Sequence, residues 1–281
     1  MKYTITGGSG FIGMEIVKRL LKQGHEVTIA DVREPREEEL KKYFKFCDIT
    51  DPFQVQDVVK GRDVVIHLAA NSDPGLAEKN PRFDLRLNVD GVLNVIDACK
   101  CFKVRMVFSS TAAIIYSPLS CYAITKRTAE KYILHNIDQG LNASILRFWN
   151  VYGPTQGLGF VVPDLIDKLR KNPDEVHIRG TGLDLRDFVY IDDVVDAIIL
   201  VAEKGVVGQT YEVGSGEQIT IYDLARTIGN MMNGKVPQVI PAKQVKEQSK
   251  TILPENLELL HSLGWRAQYN IADGVKKMVN T

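Results

Sequence analysis

Five short runs of largely β-branched and apolar residues alternate with amphipathic stretches over the first 150 residues of this chain. The runs lie at residues 2–6, 26–30, 63–69, 105–109 and 143–149. Each run is continuous rather than alternating in polarity, which is typical of parallel strands that are buried on both faces of a sheet. The alternation with helical stretches therefore predicts an α/β fold, with a doubly wound parallel sheet of the Rossmann type.

The second half of the chain has a different pattern. From residue 151 it becomes irregular and richer in glycine and proline, with short strands and helices. We predict a first domain over residues 1–150 and a smaller mixed α/β lobe over residues 151–281, partly interwoven with the first. The charged run from Arg33 to Lys42 predicts a solvated loop and the start of a helix.

Composition argues against several classes of function. The formal net charge is zero, so no overall field attracts nucleic acid or an anionic membrane, and an anionic ligand would depend on a few local cations. The four cysteines lack the spacing of a zinc site, and we expect reduced thiols and no metal. The N-terminus is a strand and turn rather than a signal peptide, and no apolar run reaches membrane-spanning length. We therefore expect a cytoplasmic protein.

A glycine-rich turn joins the first predicted strand to the first predicted helix. In TITGGSGFIG, Gly7, Gly10 and Gly13 have the spacing G-x-x-G-x-x-G, which lets the backbone approach a pyrophosphate at a helix N-terminus. Asp31 ends the second strand, where a carboxylate accepts hydrogen bonds from a ribose and repels a 2′-phosphate. We predict NAD rather than NADP as the cofactor. Arg33 would partly reverse this preference, and Asp31 could instead be an ordinary turn residue.

Further segments follow in one order along nearly the whole chain. They are CDITD (47–51), HLAA (67–70), NVDGVLNVIDA (88–98), VFSST (107–111), the pair Tyr122 and Lys126, LRFWNVYGP (146–154), RGTGLDLRDFVYIDDVVDAI (179–198), YEVGSG (211–216) and LGW (263–265). With the glycine turn and Asp31, this series resembles the extended short-chain dehydrogenase/reductase family. Within that family it resembles the NAD-dependent epimerase/dehydratase group of nucleotide-sugar epimerases, which includes UDP-glucose 4-epimerases.

The resemblance implies roles for individual residues. Asp48 and Ile49 would contact the adenine, and Asn150 and Arg186 would face the diphosphate of the substrate. Arg186 could instead form an ion pair with Asp187 or Asp192. The residues that the resemblance implies for cofactor binding are Gly7, Gly10, Phe11, Ile12, Gly13, Asp31, Asp48, Ile49, Leu68, Ala69, Ala70, Asn88, Ser109, Tyr122, Lys126 and Phe148. For Asn88 the alternative is a helix N-cap, a role it could combine with cofactor binding.

The catalytic residues implied by the resemblance are Tyr122, Lys126 and Thr111. A chain with ten tyrosines contains a Tyr-x-x-x-Lys spacing by chance, so only its position in this series supports a function. Residues four apart on a helix share a face, so Tyr122 and Lys126 would project into one cleft. The ammonium and a positive nicotinamide ring would lower the tyrosine pKa from about 10 towards neutrality, which suits a general base for a sugar hydroxyl. Thr111 would hydrogen-bond the reacting oxygen.

Two features depart from the family pattern. Only ten residues separate Thr111 from Tyr122, where a longer loop is usual, and the usual Tyr-Gly of that segment is missing. We therefore expect a more open substrate mouth. A phosphate-binding segment with an arginine is replaced by KQVKEQ (243–248), so the phosphate should be held more weakly or differently.

The residues beside Thr111 help to choose among reactions. The related dehydratases and decarboxylases carry carboxylates there, whereas this chain has Ala112 and Ala113. The sequence therefore favours a UDP-glucose/UDP-galactose type 4-epimerase, which needs only hydride removal from C4 and its return to the other face. The alternatives are a reductase or dehydrogenase of a nucleotide-linked keto-sugar, and a catalytically silent dinucleotide-binding regulator. The resemblance also implies a homodimer.

Overall fold

The computed structural model describes residues 1–242, 254 and 256–279. Its central sheet is built from seven strands: β1 Lys2–Thr6, β2 Glu26–Asp31, β3 Phe44–Phe46, β4 Val64–His67, β5 Arg105–Thr111, β6 Ala143–Phe148 and β10 Thr210–Val213. They lie in the order β10-β6-β5-β4-β1-β2-β3, and every neighbouring pair is parallel. The predicted doubly wound parallel sheet is thus confirmed.

Helices cover both faces of this sheet. On one face α1 (Phe11–Lys22) packs against α9 (Ile191–Lys204). On the other face α5 (Gly91–Phe102) packs against both α2 (Pro52–Val59) and α7 (Cys121–Ile137). Shorter segments connect these elements: a 3-10 helix at Glu38–Tyr43, α3 Pro74–Lys79, α4 Pro81–Leu85, a π-helical turn at Arg86–Asp90 and α6 Ala113–Tyr116.

The continuous apolar runs follow from burial on both faces. In β4, Val64 and Ile66 join the apolar cluster on the α1/α9 face, whereas Val65 joins the cluster beneath α2, α5 and α7. All three side chains are fully buried. Burying such a side chain stabilises the fold by about 1.5–3 kcal/mol. A central strand that is covered on both faces therefore contributes to stability at every position.

The C-terminal part of the chain adds two small sheets. One is three-stranded, in the order β11-β9-β7, and the other pairs β12 with β8. The strands are β7 Asn150–Tyr152, β8 Glu175–Ile178, β9 Leu185–Tyr190, β11 Gln218–Thr220 and β12 Gln238–Pro241. The helices are α8 Val161–Lys171, α10 Ile221–Asn233, α11 Glu258–Ser262 and α12 Ile271–Val279. β10 lies in this half of the sequence but belongs to the central sheet, where it pairs with β6.

The strand order also locates a crevice. The chain runs outward from β1 through β2 to β3 and then returns to β4 on the opposite side of β1. At such a reversal the connections leave to opposite faces, which opens a crevice at the carboxyl ends of the strands. Thr6, His67 and Thr111 end β1, β4 and β5 at this edge.

The five strands predicted from sequence all exist, with β4 shorter than its predicted run. The charged segment after β2 is a loop followed by the 3-10 helix, as expected. The four cysteines are free thiols, with Cys47 and Cys99 buried and Cys101 exposed. In the part of the chain that is described, no helix is long and apolar enough to cross a membrane.

Candidate active site

The glycine turn forms a tight cradle between β1 and α1. Gly7 has a φ of 69°, and a Cβ there would lie 2.7 Å from the backbone nitrogen of Ala69. A Cβ on Gly13 would lie 2.3 Å from the carbonyl oxygen of Gly7. Both positions therefore require glycine, because a side chain would push the turn away from its neighbours.

The N-terminus of α1 is open towards this cradle. α1 begins at Phe11 after the N-cap Gly10, which contributes no side-chain hydrogen bond. The first backbone amides of a helix have no partner within the helix. Those of Phe11 and Ile12 can therefore donate hydrogen bonds to an anion. A glycine cradle facing an uncapped helix start fits the pyrophosphate of a dinucleotide.

Asp31 lies at the edge of the same turn. Its two carboxylate oxygens accept hydrogen bonds from the backbone amides of Ser9 and Arg33, each at 3.1 Å. The side chain is 8% exposed. The carboxylate is thus fixed beside the glycine cradle, as the prediction of a ribose-binding acid requires, and Arg33 contacts it through its backbone amide.

Five of the other predicted cofactor residues lie in the segments that follow β3 and β4. Leu68 and Ala69 are tied to β1, since their amides donate to the carbonyl and hydroxyl oxygens of Thr6 at 3.0 and 3.3 Å. Ala70 follows them in the same partly exposed segment. Asp48 accepts two hydrogen bonds from Thr50, and the Ile49 carbonyl accepts one from Asn94.

Two side chains of α7 meet two residues of β5. The Lys126 ammonium donates from Nζ to the carbonyl oxygen of Ser109 at 2.6 Å, and the Thr111 side chain lies close enough to Tyr122 to favour its phenolate. Ser109 and Thr111 are two apart on a strand, and Tyr122 and Lys126 are four apart on a helix. Both spacings are about 6 to 7 Å, so each residue of one pair can contact one residue of the other. The predicted trio Thr111, Tyr122 and Lys126 is therefore together in one cluster.

Lys126 is a buried cation. Its side chain is 3% exposed, and Nζ lies 4.5 Å from the centre of the Phe108 ring. Burial lowers the pKa of Lys126 to about 8, against the opposing attraction of Glu130 and Asp84. The ammonium is thus still protonated at neutral pH, but it titrates far closer to neutrality than an ordinary lysine.

Tyr122 differs from the expectation. Its pKa is raised rather than lowered, because burial and the nearby Tyr116 and Asp84 disfavour the phenolate more than the Thr111 hydrogen bond favours it. The expected effect of Lys126 is weaker than assumed, since its ammonium is directed to the Ser109 carbonyl. The protein's own groups therefore keep Tyr122 as a phenol.

Asn88 belongs to a buried polar network. It lies in the π-helical turn, and α5 begins after Asp90, so the alternative of a helix N-cap is wrong. Its Oδ1 accepts from the Asn71 amide at 2.9 Å, and its Nδ2 donates to Asp84 at 2.9 Å. Single-turn π-helical segments often occur at functional sites. Asn71, Asp84 and Thr125 were missed by sequence reasoning, although the Asp84–Asn88 spacing of four is a helical signal.

The predicted substrate residues lie on the strands beyond β6. Asn150 donates from Nδ2 to the carbonyl oxygen of Asp187 at 2.7 Å. Phe148 is buried at the end of β6, where its carbonyl oxygen accepts from the Ala112 amide. These contacts join β7 to β9 and β6 to the segment that follows Thr111.

Arg186 contacts neither of the two acids proposed from sequence. Its guanidinium pairs with Asp184, with Nη2 and Oδ2 3.5 Å apart, so the ion pair with Asp187 or Asp192 is wrong. Asp187 instead accepts three hydrogen bonds from Ser215 and Gly216, and Asp192 contacts Arg19 and Lys277.

An aromatic side chain that sequence reasoning missed holds the other side of Arg186. The guanidinium carbon lies 5.7 Å from the centre of the Tyr116 ring, at the end of α6. The Tyr116 ring in turn contacts Trp149, with centroids 6.3 Å apart. The short loop before Tyr122 thus places an aromatic ring near both Arg186 and Tyr122. The segment KQVKEQ, where a weaker phosphate grip was predicted, lies outside the described residues.

Comparisons with known proteins agree with this geometry. A family model described as the NAD dependent epimerase/dehydratase family matches residues 3–214. The chain is 28% identical over 303 residues to a putative UDP-glucose 4-epimerase of Methanocaldococcus jannaschii, covering 98% of this chain and 96% of that one. It is 26% identical over 308 residues to UDP-glucuronic acid decarboxylase 3 of Arabidopsis thaliana, covering 99% and 88%.

A solved structure shows the same similarity. The UDP-glucose 4-epimerase of Thermotoga maritima with UDP-glucose is 29% identical, with a TM-score of 0.85, and 100% of this chain and 98% of that chain are covered. The names of these relatives therefore include two reactions, 4-epimerisation and decarboxylation, at similar identity.

Proposed function

Because the chain belongs to the NAD dependent epimerase/dehydratase family, we propose that it is a nucleotide-sugar 4-epimerase of the UDP-glucose/UDP-galactose type. NAD, the expected cofactor, is the cofactor of this family. The observation that carries the choice of reaction is the pair of buried alanines, Ala112 and Ala113, directly after Thr111. A methyl group at both positions supplies no acid or base for eliminating water or carbon dioxide. C4 epimerisation needs no acid or base beyond Tyr122.

The residues present fit NAD. The Gly7/Gly13 cradle and the uncapped start of α1 would hold the pyrophosphate, and Asp31 would accept hydrogen bonds from the adenosine ribose. Leu68 and Ala69 would form the wall of the crevice. When bound, NAD would supply the hydride acceptor and donor at C4 of the sugar.

Tyr122 would move the proton. Its phenol oxygen takes the proton of the sugar 4-hydroxyl as the carbon is oxidised and returns it when the carbon is reduced on the other face. Thr111, which lies beside Tyr122, would orient the same oxygen. Because the protein alone raises the pKa of Tyr122, the phenolate would depend on positive charge brought by the cofactor in addition to Lys126.

Arg186 and Asn150 would bind the diphosphate. Arg186 is held by Asp184 on one side and the Tyr116 ring on the other, so its guanidinium is oriented before a substrate arrives. With a net charge of zero, the chain relies on such local cations for an anionic substrate. Names of relatives that contain UDP-glucose support a UDP-hexose as this substrate.

Product analysis tests the proposal. Purified protein is incubated with UDP-glucose, UDP-galactose, their N-acetyl counterparts and UDP-glucuronate, and products are followed by NMR together with cofactor absorbance. We expect interconversion of C4 epimers without net reduction of the cofactor and without release of carbon dioxide. Decarboxylation of UDP-glucuronate would contradict the proposal. Net turnover of added cofactor would favour a keto-sugar reductase, and an inactive protein that binds NAD would favour a silent regulator.

We also propose that the chain forms a homodimer, on the basis of the family resemblance. Light scattering on the purified protein should give about twice the monomer mass of 31.4 kDa. A mass equal to that of the monomer at the concentration of the assay would contradict this assembly.

A further inference from the structure

Asp84 is a fully buried carboxylate beside the catalytic helix. It lies in α4 and is 0% exposed. Oδ1 accepts from Nδ2 of Asn71 at 2.7 Å and from Nδ2 of Asn88 at 2.9 Å, and Oδ2 contacts the Thr125 hydroxyl at 2.6 Å. All three partners are uncharged, so hydrogen bonds satisfy the carboxylate oxygens while its charge is not neutralised by them.

The orientation of these partners is fixed by the backbone. Asn88 accepts the Asn71 amide at Oδ1, so its Nδ2 must face Asp84 and the Asn71 carbonyl. The Thr125 hydroxyl also contacts the Tyr122 carbonyl oxygen at 3.1 Å. The network therefore links α4 and the π-helical turn to α7 between its two catalytic residues, Tyr122 and Lys126.

Besides Tyr122 on its own helix, three titratable groups on different elements interact electrostatically with Lys126. Glu130 on α7 is paired with Arg147 through two hydrogen bonds of 2.7 and 2.9 Å, which offset its charge. His67 on β4 is neutral, since burial lowers its pKa to about 3. Asp84 on α4 is the third, and its charge has no such guanidinium partner among the described contacts of its carboxylate.

We propose that Asp84 is a positioning residue for the Tyr122/Lys126 pair, whose carboxylate fixes α7 through Thr125 and supplies a buried negative charge to Lys126. The catalytic consequence rests on the proposed function, whereas the interaction between Asp84 and Lys126 does not. A buried carboxylate without its own cation favours the charged form of a buried lysine nearby, because little water screens the two charges.

The first test measures the titration of Lys126 directly. Lysine labelled with ¹³C at Cε is observed by NMR, and the Lys126 signal is assigned by its loss in Lys126→Arg. In Asp84→Asn we expect the pKa of Lys126 to fall by about one pH unit, a tenfold loss of proton affinity. The matched control is Asp193→Asn, which removes another buried carboxylate with uncharged donors, in α9. An unchanged Lys126 titration in folded Asp84→Asn, or an equal shift in the control, would overturn the proposal.

A second variant covers an unstable Asp84→Asn. Asp84→Ser also removes the negative charge, so the pKa of Lys126 should fall as it does in Asp84→Asn. A Lys126 titration that is the same in Asp84→Ser and in the parent would show that the two groups do not interact.

The link to α7 is tested separately through Thr125. Thr125→Val removes the hydroxyl, whereas Thr125→Ser keeps it. We expect kcat to fall about tenfold or more in the valine variant and to recover in the serine variant, with NAD affinity unchanged in both. Equal kcat in the parent and Thr125→Val would contradict the positioning role. A parent without epimerase activity would refute the proposed function and leave the two titrations as the decisive results.

Discussion

The Thr111 side chain lies beside the Tyr122 side chain across the junction of β5 and α7, where it favours the phenolate. Ten residues separate them, and these form the short helix α6, a loop and the first residue of α7. The shortened connection therefore preserves the contact that the proposed chemistry requires. Thr111 also accepts from the Ala113 amide at 3.1 Å, which fixes its hydroxyl at the start of that connection.

Thr111→Ala should lower the epimerisation rate less than changes at Tyr122 or Lys126. Thr111 would orient the reacting oxygen but transfer no proton, so losing its hydroxyl should cost less than losing the group that transfers the proton. Thr111→Ser should restore the rate. The epimerisation rates of the parent, Thr111→Ala and Thr111→Ser are compared by steady-state kinetics. A rate loss in Thr111→Ala as large as that in Tyr122→Phe would show that Thr111 is as important as Tyr122.

Asp31→Ala should narrow the preference for NAD over NADP. The carboxylate beside the glycine cradle would repel a ribose 2′-phosphate, so its removal weakens NAD binding and relieves that repulsion. Calorimetric titration of both dinucleotides measures the preference. Equal or tighter binding of NADP by the parent protein would contradict the role of Asp31.

Arg186→Ala should weaken binding of the UDP-sugar while NAD binding and folding remain nearly intact. Losing a charge-assisted hydrogen bond costs about 1.5–3 kcal/mol, which is roughly ten- to a hundredfold in affinity. Tyr116→Leu should cause a smaller loss of UDP-sugar affinity, because it removes the ring that holds the guanidinium. Tyr116→Phe keeps the ring and should keep the affinity. An Arg186→Ala protein that unfolds without a selective loss of binding would show that its pair with Asp184 is structural.

His67 should make the fold sensitive to acid. Burial and the nearby Lys126 lower the pKa of this imidazole to about 3, against 6.5 for an ordinary histidine. The unfolded chain therefore binds more protons than the folded one between these values, so stability is complete above pH 6.5 and falls as the pH drops towards 3. Urea unfolding of the parent and His67→Asn should differ in this window by up to roughly 1.4 kcal/mol per pH unit. Identical slopes would contradict a buried neutral His67.

The strands that could be predicted from the sequence are those in which consecutive residues are buried. The runs that became β1, β4 and β5 are apolar on both faces, and the glycines after β1 have the spacing of a phosphate-binding turn. β3 was missed because it is short and Phe46 is exposed. β10 was missed because its pairing with β6 depends on contacts between segments more than sixty residues apart.

The candidate site was predictable only where its residues are spaced along one element. Tyr122 and Lys126 share a helix face, and this could be read from the chain. The ion pair of Arg186 with Asp184 could not, since which of several nearby acids the guanidinium meets depends on the packed structure. The raised pKa of Tyr122 has the same origin, because burial and the direction of Lys126 towards Ser109 are properties of the packed structure.

The central claim is that Tyr122 transfers the proton of the sugar hydroxyl, and Tyr122→Phe tests it most directly. The variant keeps the ring and removes the transferable proton, so the rate of UDP-glucose/UDP-galactose interconversion should fall by about 10²-fold or more while NAD remains bound. Lys126→Ala serves for comparison and should also weaken NAD binding, since the same ammonium would contact the nicotinamide ribose. An active parent whose rate is unchanged in Tyr122→Phe would contradict the account and make the Tyr-x-x-x-Lys spacing a coincidence.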